Sequence, residues 1–161
     1  MYNTSTSKSL KYFMREQKDE TVEVPAPKGF VDDEGKPIMM EVKVLTNKRV
    51  QEIFAAYRKR KIATNEKGVP YIGPGGEVVF QTDRDTPRAI RHIIAEALVF
   101  PNLKDKEIME HYNCADISEM TQHVFPRSDE YAHVSRMVLN ALGLGDEGPS
   151  DDDLIDDAKN S

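Results

Sequence analysis

The stretch that decides the fold runs from residue 86 to residue 142 and reads TPRAIRHIIAEALVFPNLKDKEIMEHYNCADISEMTQHVFPRSDEYAHVSRMVLNAL. Apolar residues recur in it at spacings of three and four, the period of an α-helix with one buried face. Helix-stopping residues interrupt or end this pattern at Pro101, Asn113, Pro126 and Gly143. The sequence therefore predicts four consecutive helices that share a core.

The first of these helices has the clearest boundaries. Thr86 suits the N-cap position, with Pro87 as the first helical residue, where a missing N–H costs nothing. Pro101 disfavours helical geometry at the residue before it, so the helix is predicted to end near Val99. The other three helices are predicted at residues 104–112, from Asp116 to Pro126, and from Ser128 or Asp129 to Gly143.

The N-terminal half is predicted to supply strands. Residues 21–24 and 36–45 alternate between polar and apolar, as half-buried strands do. A helix is predicted after Thr46, and the basic run 58–61 is interpreted as its C-terminal end. A contact with nucleic acid or with an acidic partner is the alternative for these four cations. Residues 68–81 predict a loose hairpin that protrudes. The fold class is therefore α+β and mainly α, a helical domain with a small antiparallel β-hairpin near the N-terminus and a second short hairpin before the C-terminal helices.

Length and charge define the predicted domain. With 161 residues, of which 39% are hydrophobic, the chain can bury one core of ordinary size. Residues 146–161 hold seven acidic residues and one basic residue, so residues 1–145 carry 21 of each sign and the net charge of −6 lies entirely in the tail. We expect a flexible N-terminus at 1–8, a single domain at 9–145 and a disordered acidic tail at 146–161. The tail is either a solubilising end or a segment that docks on a basic partner surface.

Several classes of protein are disfavoured. The sequence has neither eighteen consecutive apolar residues nor a leader pattern, so we expect no membrane span and no signal peptide. Cys114 is the single cysteine, which leaves no internal disulfide. His111 and Cys114 have the spacing of a local chelate but lack the second pair that tetrahedral zinc sites normally show. We therefore expect no metal and no cofactor.

Two alternatives from other function classes stay open. Asp33, Glu41 and Lys43 stand in the order used by nucleases that hold magnesium between two carboxylates beside a lysine. Residues 106–125 have the apolar spacing of a helix-turn-helix. Beyond Lys106, however, that segment holds no Lys or Arg with which to contact phosphates. A magnesium-dependent nuclease or a small DNA-binding protein is the alternative function, although nucleic acid is not the expected partner.

Three segments in this order carry a resemblance to a known family. They are GFVDDEGKP at 29–37, FPNLKDKEI at 100–108 and YNCAD at 112–116. Together with Glu130 and Tyr131 near the start of the last helix, they resemble the XkdN-like family of phage tail assembly chaperones over roughly residues 9–145. Asn113 stands where that family is expected to have glycine, and Arg49 where it is expected to have an acidic residue.

The resemblance implies a function without catalysis. Such a chaperone is expected to bind the tape measure protein of a contractile tail, keep it soluble and assist assembly of the tail tube around it. The tail tube protein and a second copy of the chain are further candidate partners. The implied location is the host cytoplasm, with the chaperone absent from the mature virion. A longer product made by ribosomal frameshifting would replace or extend the acidic tail.

Two apolar surfaces are candidates for binding a long helical client, which docks by laying its apolar face in a groove. The first is a short amphipathic N-terminal segment, predicted as about two helical turns that need something to pack on. The second is the corner between the first two C-terminal helices, for which core packing is the simpler explanation. The candidate residues are Leu10, Phe13 and Met14 in the first, and Phe100, Pro101 and Leu103 in the second.

Overall fold

The computed structural model describes residues 8–145. The strands are β1 (Thr21–Pro25), β2 (Met39–Lys43), β3 (Arg58–Ile62), β4 (Phe80–Arg84) and β5 (Leu98–Phe100). The helices are α1 (Asn47–Ala56), α2 (Thr86–Ala97), α3 (Lys106–His111), α4 (Ile117–Val124) and α5 (Ser128–Ala141). Helices hold 39% of the described residues and strands 21%, so the α+β class is confirmed, whereas "mainly α" fits only loosely. Except for Lys8, the predicted flexible N-terminus at 1–8 and the predicted acidic tail at 146–161 lie outside the described residues. The single domain at 9–145 stays a prediction.

A three-stranded antiparallel sheet forms one side of the fold, in the order β1-β2-β5. β1 and β2 pair from Thr21 opposite Lys43 to Pro25 opposite Met39, so the second strand is shorter than the predicted 36–45. β5 was not predicted. Leu98 pairs with Val42, and this pairing makes β5 an edge strand that follows α2 directly.

Helix α2 lies at the centre and corrects two predicted boundaries. Its N-cap is Asp85, whose carboxylate accepts a hydrogen bond from the Arg88 N–H at 3.4 Å, and Thr86 is the first helical residue. The helix ends at Ala97 rather than near Val99 because the next residues pair with β2. The cap was missed because Asp and Thr are both good N-cap residues and stand next to each other here.

The later helices keep the predicted order with small shifts. Asp116 caps α4 by accepting from the Ser118 N–H at 2.9 Å, and Asn113 has a φ of 48°, the left-handed stop expected there. Helix α5 begins at Ser128 with Arg127 as its N-cap, one residue before the predicted cap. The Glu130 carboxylate accepts from the Arg127 N–H at 3.4 Å, which explains how a basic residue occupies that position.

Two clusters of buried side chains hold the fold together, and α2 contributes to both. The smaller cluster joins α1 to α2 through Val50, Ile53, Ala89 and Ile93. The larger cluster joins the sheet to α2, α4 and α5, and its largest buried members are Met40, Val42, Ile94, Leu98, Leu103, Met120, Phe125, Val134 and Val138. Burial of each such side chain stabilises the fold by roughly 1.5–3 kcal/mol.

The basic run 58–61 is not the end of a helix, so that interpretation is wrong. Helix α1 ends at Ala56 and the run belongs to β3, which pairs with β4 in a separate two-stranded sheet. The Tyr57 carbonyl accepts a hydrogen bond from the Asp85 N–H at 2.9 Å. This contact, across the base of the two strands, turns the chain out of α1 before the cations begin.

Residues 58–84 form what we call the ribbon. Beyond β3 and β4 the chain folds back on itself, since the Ala63 N–H donates to Val79 and the Tyr71 N–H donates to Ala63, at 2.8 and 2.9 Å. The predicted hairpin at 68–81 is therefore the outer part of a hairpin that starts ten residues earlier. Ala63 is the one buried residue of the ribbon.

Candidate partner-binding surfaces

The N-terminal candidate segment is exposed and barely helical. Leu10–Phe13 is one turn of 3₁₀-helix, not two turns of α-helix, and Ser9 caps it. Leu10 is 71% exposed, Phe13 82% and Met14 74%. A short helix gains little stability unless one of its faces packs on the rest of the protein. The apolar side chains of this segment are exposed, which explains why it forms only a single turn. Three large apolar side chains therefore stand free on the described part of the chain.

The second candidate surface lies at the junction of β5 and α3. Phe100 is 50% exposed and Pro101 is half-buried, and both border an open groove. Leu103 is fully buried in the larger cluster and offers no surface to a partner in this structure. The groove is lined by Val99, Phe100, Pro101, Asn102, Asp105, Glu107, Ile108 and His111.

A small apolar cavity lies behind the same corner. Its volume is about 150 Å³, and Phe100 and Pro101 line it together with Phe30 and Phe125. The rings of Phe30 and Phe125 are 5.5 Å apart and tilted by 53°. The corner is thus supported by aromatic packing from below, while Val99 and Phe100 remain about half exposed above it.

The ribbon is a further exposed surface, and it contains the basic run 58–61 for which a nucleic acid or an acidic partner was the alternative prediction. All ten residues of β3 and β4 are exposed, and so are large apolar residues further out. The exposed apolar residues of the ribbon are Ile62, Val69, Tyr71, Ile72, Val78, Val79 and Phe80. The signal in the sequence was a run of four cations between two apolar patterns, which was assigned to a helix end.

The potential metal ligands that lie together in the structure differ from the sets that the sequence indicated. Among the described residues, the cluster of at least three potential ligands with donor atoms within 4.8 Å is Cys114, Glu119 and His123. It does not contain His111, Asp33 or Glu41. The Cys114 thiol donates to the Asp116 carbonyl at 3.3 Å and packs against the core, which accounts for it structurally.

The segment with helix-turn-helix spacing is fixed against α2 by polar contacts. The Arg88 guanidinium donates to the Asp116 carboxylate at 2.6 Å and to the Ser118 hydroxyl at 2.9 Å. The Ser118 hydroxyl also donates to Asp116 at 2.6 Å, and the Thr121 hydroxyl donates to the Arg91 carbonyl at 3.0 Å. Hydrogen bonds from Ser118, and then from Arg88, lower the pKa of Asp116. The start of α4 is therefore a packing contact with an anionic group, not a surface for phosphates.

An ion pair explains the departure at Arg49. Its guanidinium donates to the Glu96 carboxylate with two nitrogens, the Nε at 2.6 Å, and so joins α1 to α2. This hydrogen bonding lowers the pKa of Glu96 and raises that of Arg49. A cation after Thr46 thus has a structural role in this chain.

No helix in residues 8–145 is both long enough and apolar enough to cross a bilayer.

Comparison with known proteins identifies the class. The family model of the phage XkdN-like tail assembly chaperone protein matches residues 10–159. The uncharacterized protein YqbN of Bacillus subtilis (strain 168) is 33% identical over 153 residues, which are 94% of this chain and 93% of YqbN. The phage-like element PBSX protein XkdN of the same strain is 29% identical over 141 residues, 88% of this chain and 85% of XkdN.

A crystal structure of YqbN has a similar fold, with a TM-score of 0.61 at 27% identity, covering 84% of this chain and 96% of that one. The match over most of the chain defines a phage tail assembly chaperone. Within that class the chain belongs to the XkdN-like family, which confirms the predicted resemblance. Its partners are accordingly proteins of the phage tail.

Proposed function

We propose that this chaperone binds the tape measure protein of its phage, keeps it soluble and assists assembly of the tail tube around it. It acts in the host cytoplasm, as a binding protein and not as an enzyme, and leaves before the virion is complete. The tail tube protein and a second copy of the chain are further proposed binding partners of the chaperone.

The observation that carries the proposal is the groove at the corner. Its apolar lining residues are Val99, Phe100, Pro101 and Ile108, and its polar ones include Asn102 and Asp105. An amphipathic helix that docks in such a groove buries apolar residues at spacings of three and four and leaves its polar face in water. A long helical client with an apolar stripe matches this chemistry.

The N-terminal segment supplies a second contact. Phe13 borders a groove with Val44, Leu45 and Thr46 at the start of α1. Three exposed apolar side chains on a segment with little internal structure can adapt to a client that offers no deep pocket. Two separate apolar surfaces suit a client much longer than the chaperone.

The test is co-expression of the full chain with the tape measure protein of the same phage. We expect the soluble and co-purifying fraction of the tape measure protein to rise with the chaperone. The double substitution Val99→Ser with Phe100→Ser should lose most of this gain. Val69→Ser with Tyr71→Ser is the matched control, because both of its residues are 54% exposed and lie on the ribbon.

Two results of this experiment would contradict the proposed client or the proposed binding surface. If the tape measure protein is equally soluble without the chaperone, the client is wrong. If the chaperone solubilises it and the corner variant does so equally well, the surface is wrong and Phe13→Ser with Met14→Ser is the next variant to compare.

A further inference from the structure

One side of the ribbon carries three arginines that form no ion pair in the described part of the chain. Alternate residues of a strand share a face, and directly paired residues of neighbouring strands share it too. Arg58 pairs with Arg84, Arg60 with Thr82 and Ile62 with Phe80, so these residues form one face. We call Arg58, Arg60 and Arg84, with Ile62 and Phe80 at the outer end, the arginine face.

On the opposite side of the ribbon, by contrast, both lysines of β3 form ion pairs. The Lys59 ammonium lies 3.4 Å from the Asp85 carboxylate, and that of Lys61 lies 3.0 Å from Asp83. No carboxylate within residues 8–145 forms an ion pair with an arginine of the arginine face. Like charges placed directly opposite each other destabilise a strand pair, so the contact between Arg58 and Arg84 favours an anionic ligand.

We propose that the arginine face is the docking site for the chain's own acidic segment, residues 146–161. The segment carries the entire net charge of the chain, and the face brings three arginines without an ion pair close together on neighbouring strands. Arginine binds carboxylates by two parallel hydrogen bonds, which adds geometry to the charge attraction. This inference does not rest on the identity of the client.

The pattern of the segment matches that of β3. Asp151, Asp153 and Ile155 follow one another at every second position, as Arg58, Arg60 and Ile62 do in β3. In an extended chain, alternate residues point to the same side. The segment therefore lies along the free edge of β3 in the same direction, with Asp151 and Asp153 beside the two arginines and Ile155 beside the apolar end.

The chain path permits this arrangement. Leu144 packs against the same small cluster as Tyr57, the residue that directly precedes β3. Residues 145–150 connect Leu144 to Asp151, and these seven steps along the chain span at most about 25 Å when extended. The segment is therefore joined to the body at the cluster that also holds the residue before β3, and the connection is long enough for Asp151 to extend several residues along that strand.

The outer end of the face supports an apolar contact. Ile62 is 44% exposed and Phe80 47%, and the Arg60 guanidinium lies 4.1 Å from the centre of the Phe80 ring. Leu154 and Ile155 are the large apolar residues of the acidic segment. A nucleic acid backbone offers phosphates to the arginines but no aliphatic group to this end, so the segment is the better match.

The test is an NMR measurement on the full chain. A nitroxide label is attached to Ala158→Cys in a Cys114→Val background, and the loss of amide peak intensity is mapped. We expect the loss to concentrate on β3 and on Phe80, and to fall as salt is added because screening shortens the reach of exposed charges. Unchanged amide shifts in the larger core show that the variants are folded.

Two matched pairs of variants sharpen the result. Asp151→Asn with Asp153→Asn should restore the peaks, whereas Asp152→Asn with Asp156→Asn, of equal charge change, should leave most of the loss in place. On the ribbon, Arg58→Gln with Arg60→Gln should restore the peaks, and Lys59→Gln with Lys61→Gln should not.

Three outcomes overturn the proposal. One is intensity loss spread evenly over the surface or centred elsewhere. Another is loss that persists when chains with only the spin label are mixed with chains with only the isotope label, which assigns the face to the segment of a second copy. The third is that the amide peaks of the arginine face shift when a short DNA duplex is added but lose no intensity to the nitroxide label. In that case the face binds phosphates and not the acidic segment.

Discussion

The helical body and the ribbon are stabilised in different ways. At the contact of α2 with α4, Ser118 and Thr121 are fully buried and each hydroxyl has a hydrogen-bond partner on α2. In the ribbon, by contrast, every residue of the two strands is exposed and the backbone ladder is the main connection. The difference indicates that the body carries the stability of the protein, while the ribbon keeps its side chains available for contacts.

The largest expected effect breaks the body at its aromatic centre. Phe125→Ala removes a side chain that is 2% exposed, and we expect the free energy of unfolding to fall by about 3–5 kcal/mol. Phe80→Ala on the ribbon should change it by less than about 0.5 kcal/mol. Urea denaturation of both variants checks the comparison, and equal losses would show that the ribbon is part of the cooperative core.

A hydroxyl pair gives the next largest contrast. Thr121→Val keeps the shape of a buried side chain but removes its hydrogen bond to the Arg91 carbonyl, which should cost about 1–2 kcal/mol. The same change at Thr82, on an exposed strand, should be neutral because valine suits strands. The measurement is again urea denaturation. A cost at Thr82 as large as that at Thr121 contradicts the prediction.

The ion pair between Arg49 and Glu96 makes the stability of the body depend on pH. The hydrogen bonds from Arg49 hold the pKa of Glu96 below its ordinary value of 4.5, so the pair stabilises the folded state above that pH. Stability is lost as the pH falls below 4.5 and through the lowered pKa, because in this range the unfolded state binds a proton that the folded state does not yet bind. At neutral pH we expect the free energy of unfolding of wild type to exceed that of Glu96→Gln by about 1 kcal/mol. The figure is small because Arg49 is nearly half exposed and solvent weakens the ion pair.

The check is unfolding of wild type and Glu96→Gln across this pH range. The gap between them should close at acid pH. Asp83→Asn on the ribbon is the control. Lys61 lowers the pKa of Asp83, but Asp83 is exposed to solvent. About 1 M salt should therefore remove any difference in stability between this variant and wild type. A gap for Glu96→Gln that persists at low pH would mean that size or shape, not charge, is responsible.

The smallest global effect is expected at the tip of the ribbon. Gly76 has a φ of 81° with no atom within 4 Å of an added Cβ, so Gly76→Ala costs only backbone strain, about 1 kcal/mol. Global unfolding should hardly change, while the Val79 amide, bonded to Tyr71, exchanges faster with solvent. Hydrogen exchange resolves the two. A matching fall in global stability would show that the tip and the body unfold together.

Local patterns in the sequence were enough to predict the C-terminal helices but not the end of α1 or the ribbon. The apolar period from Ile90 to Leu142 predicted the order and approximate limits of α2 to α5. The end of α1 could not be found, because no stop residue separates Tyr57 from the cations and the contact that ends the helix comes from Asp85, distant in the chain. Strand register is likewise set by such non-local pairing.

The candidate site divides in the same way. Apolar residues near a turn pointed to the corner, but the sequence could not tell which of them face water. Phe100 is exposed because β5 is the edge of its sheet, and Leu103 is buried because the turn directs it into the core. The run 58–61 was noticed for its charge, yet its division into an arginine side and a lysine side depends on a strand geometry that was not predicted.

Helix α2 passes into β5 with no connecting loop, since Ala97 ends one and Leu98 begins the other. Leu98 is 1% exposed, and its N–H donates to the Ile94 carbonyl of the last helical turn. The outer strand is therefore anchored at its first residue and cannot peel away unless the helix frays. A partner that arrives at this edge meets a rigid platform, and little entropy is lost on the chaperone's side when the complex forms.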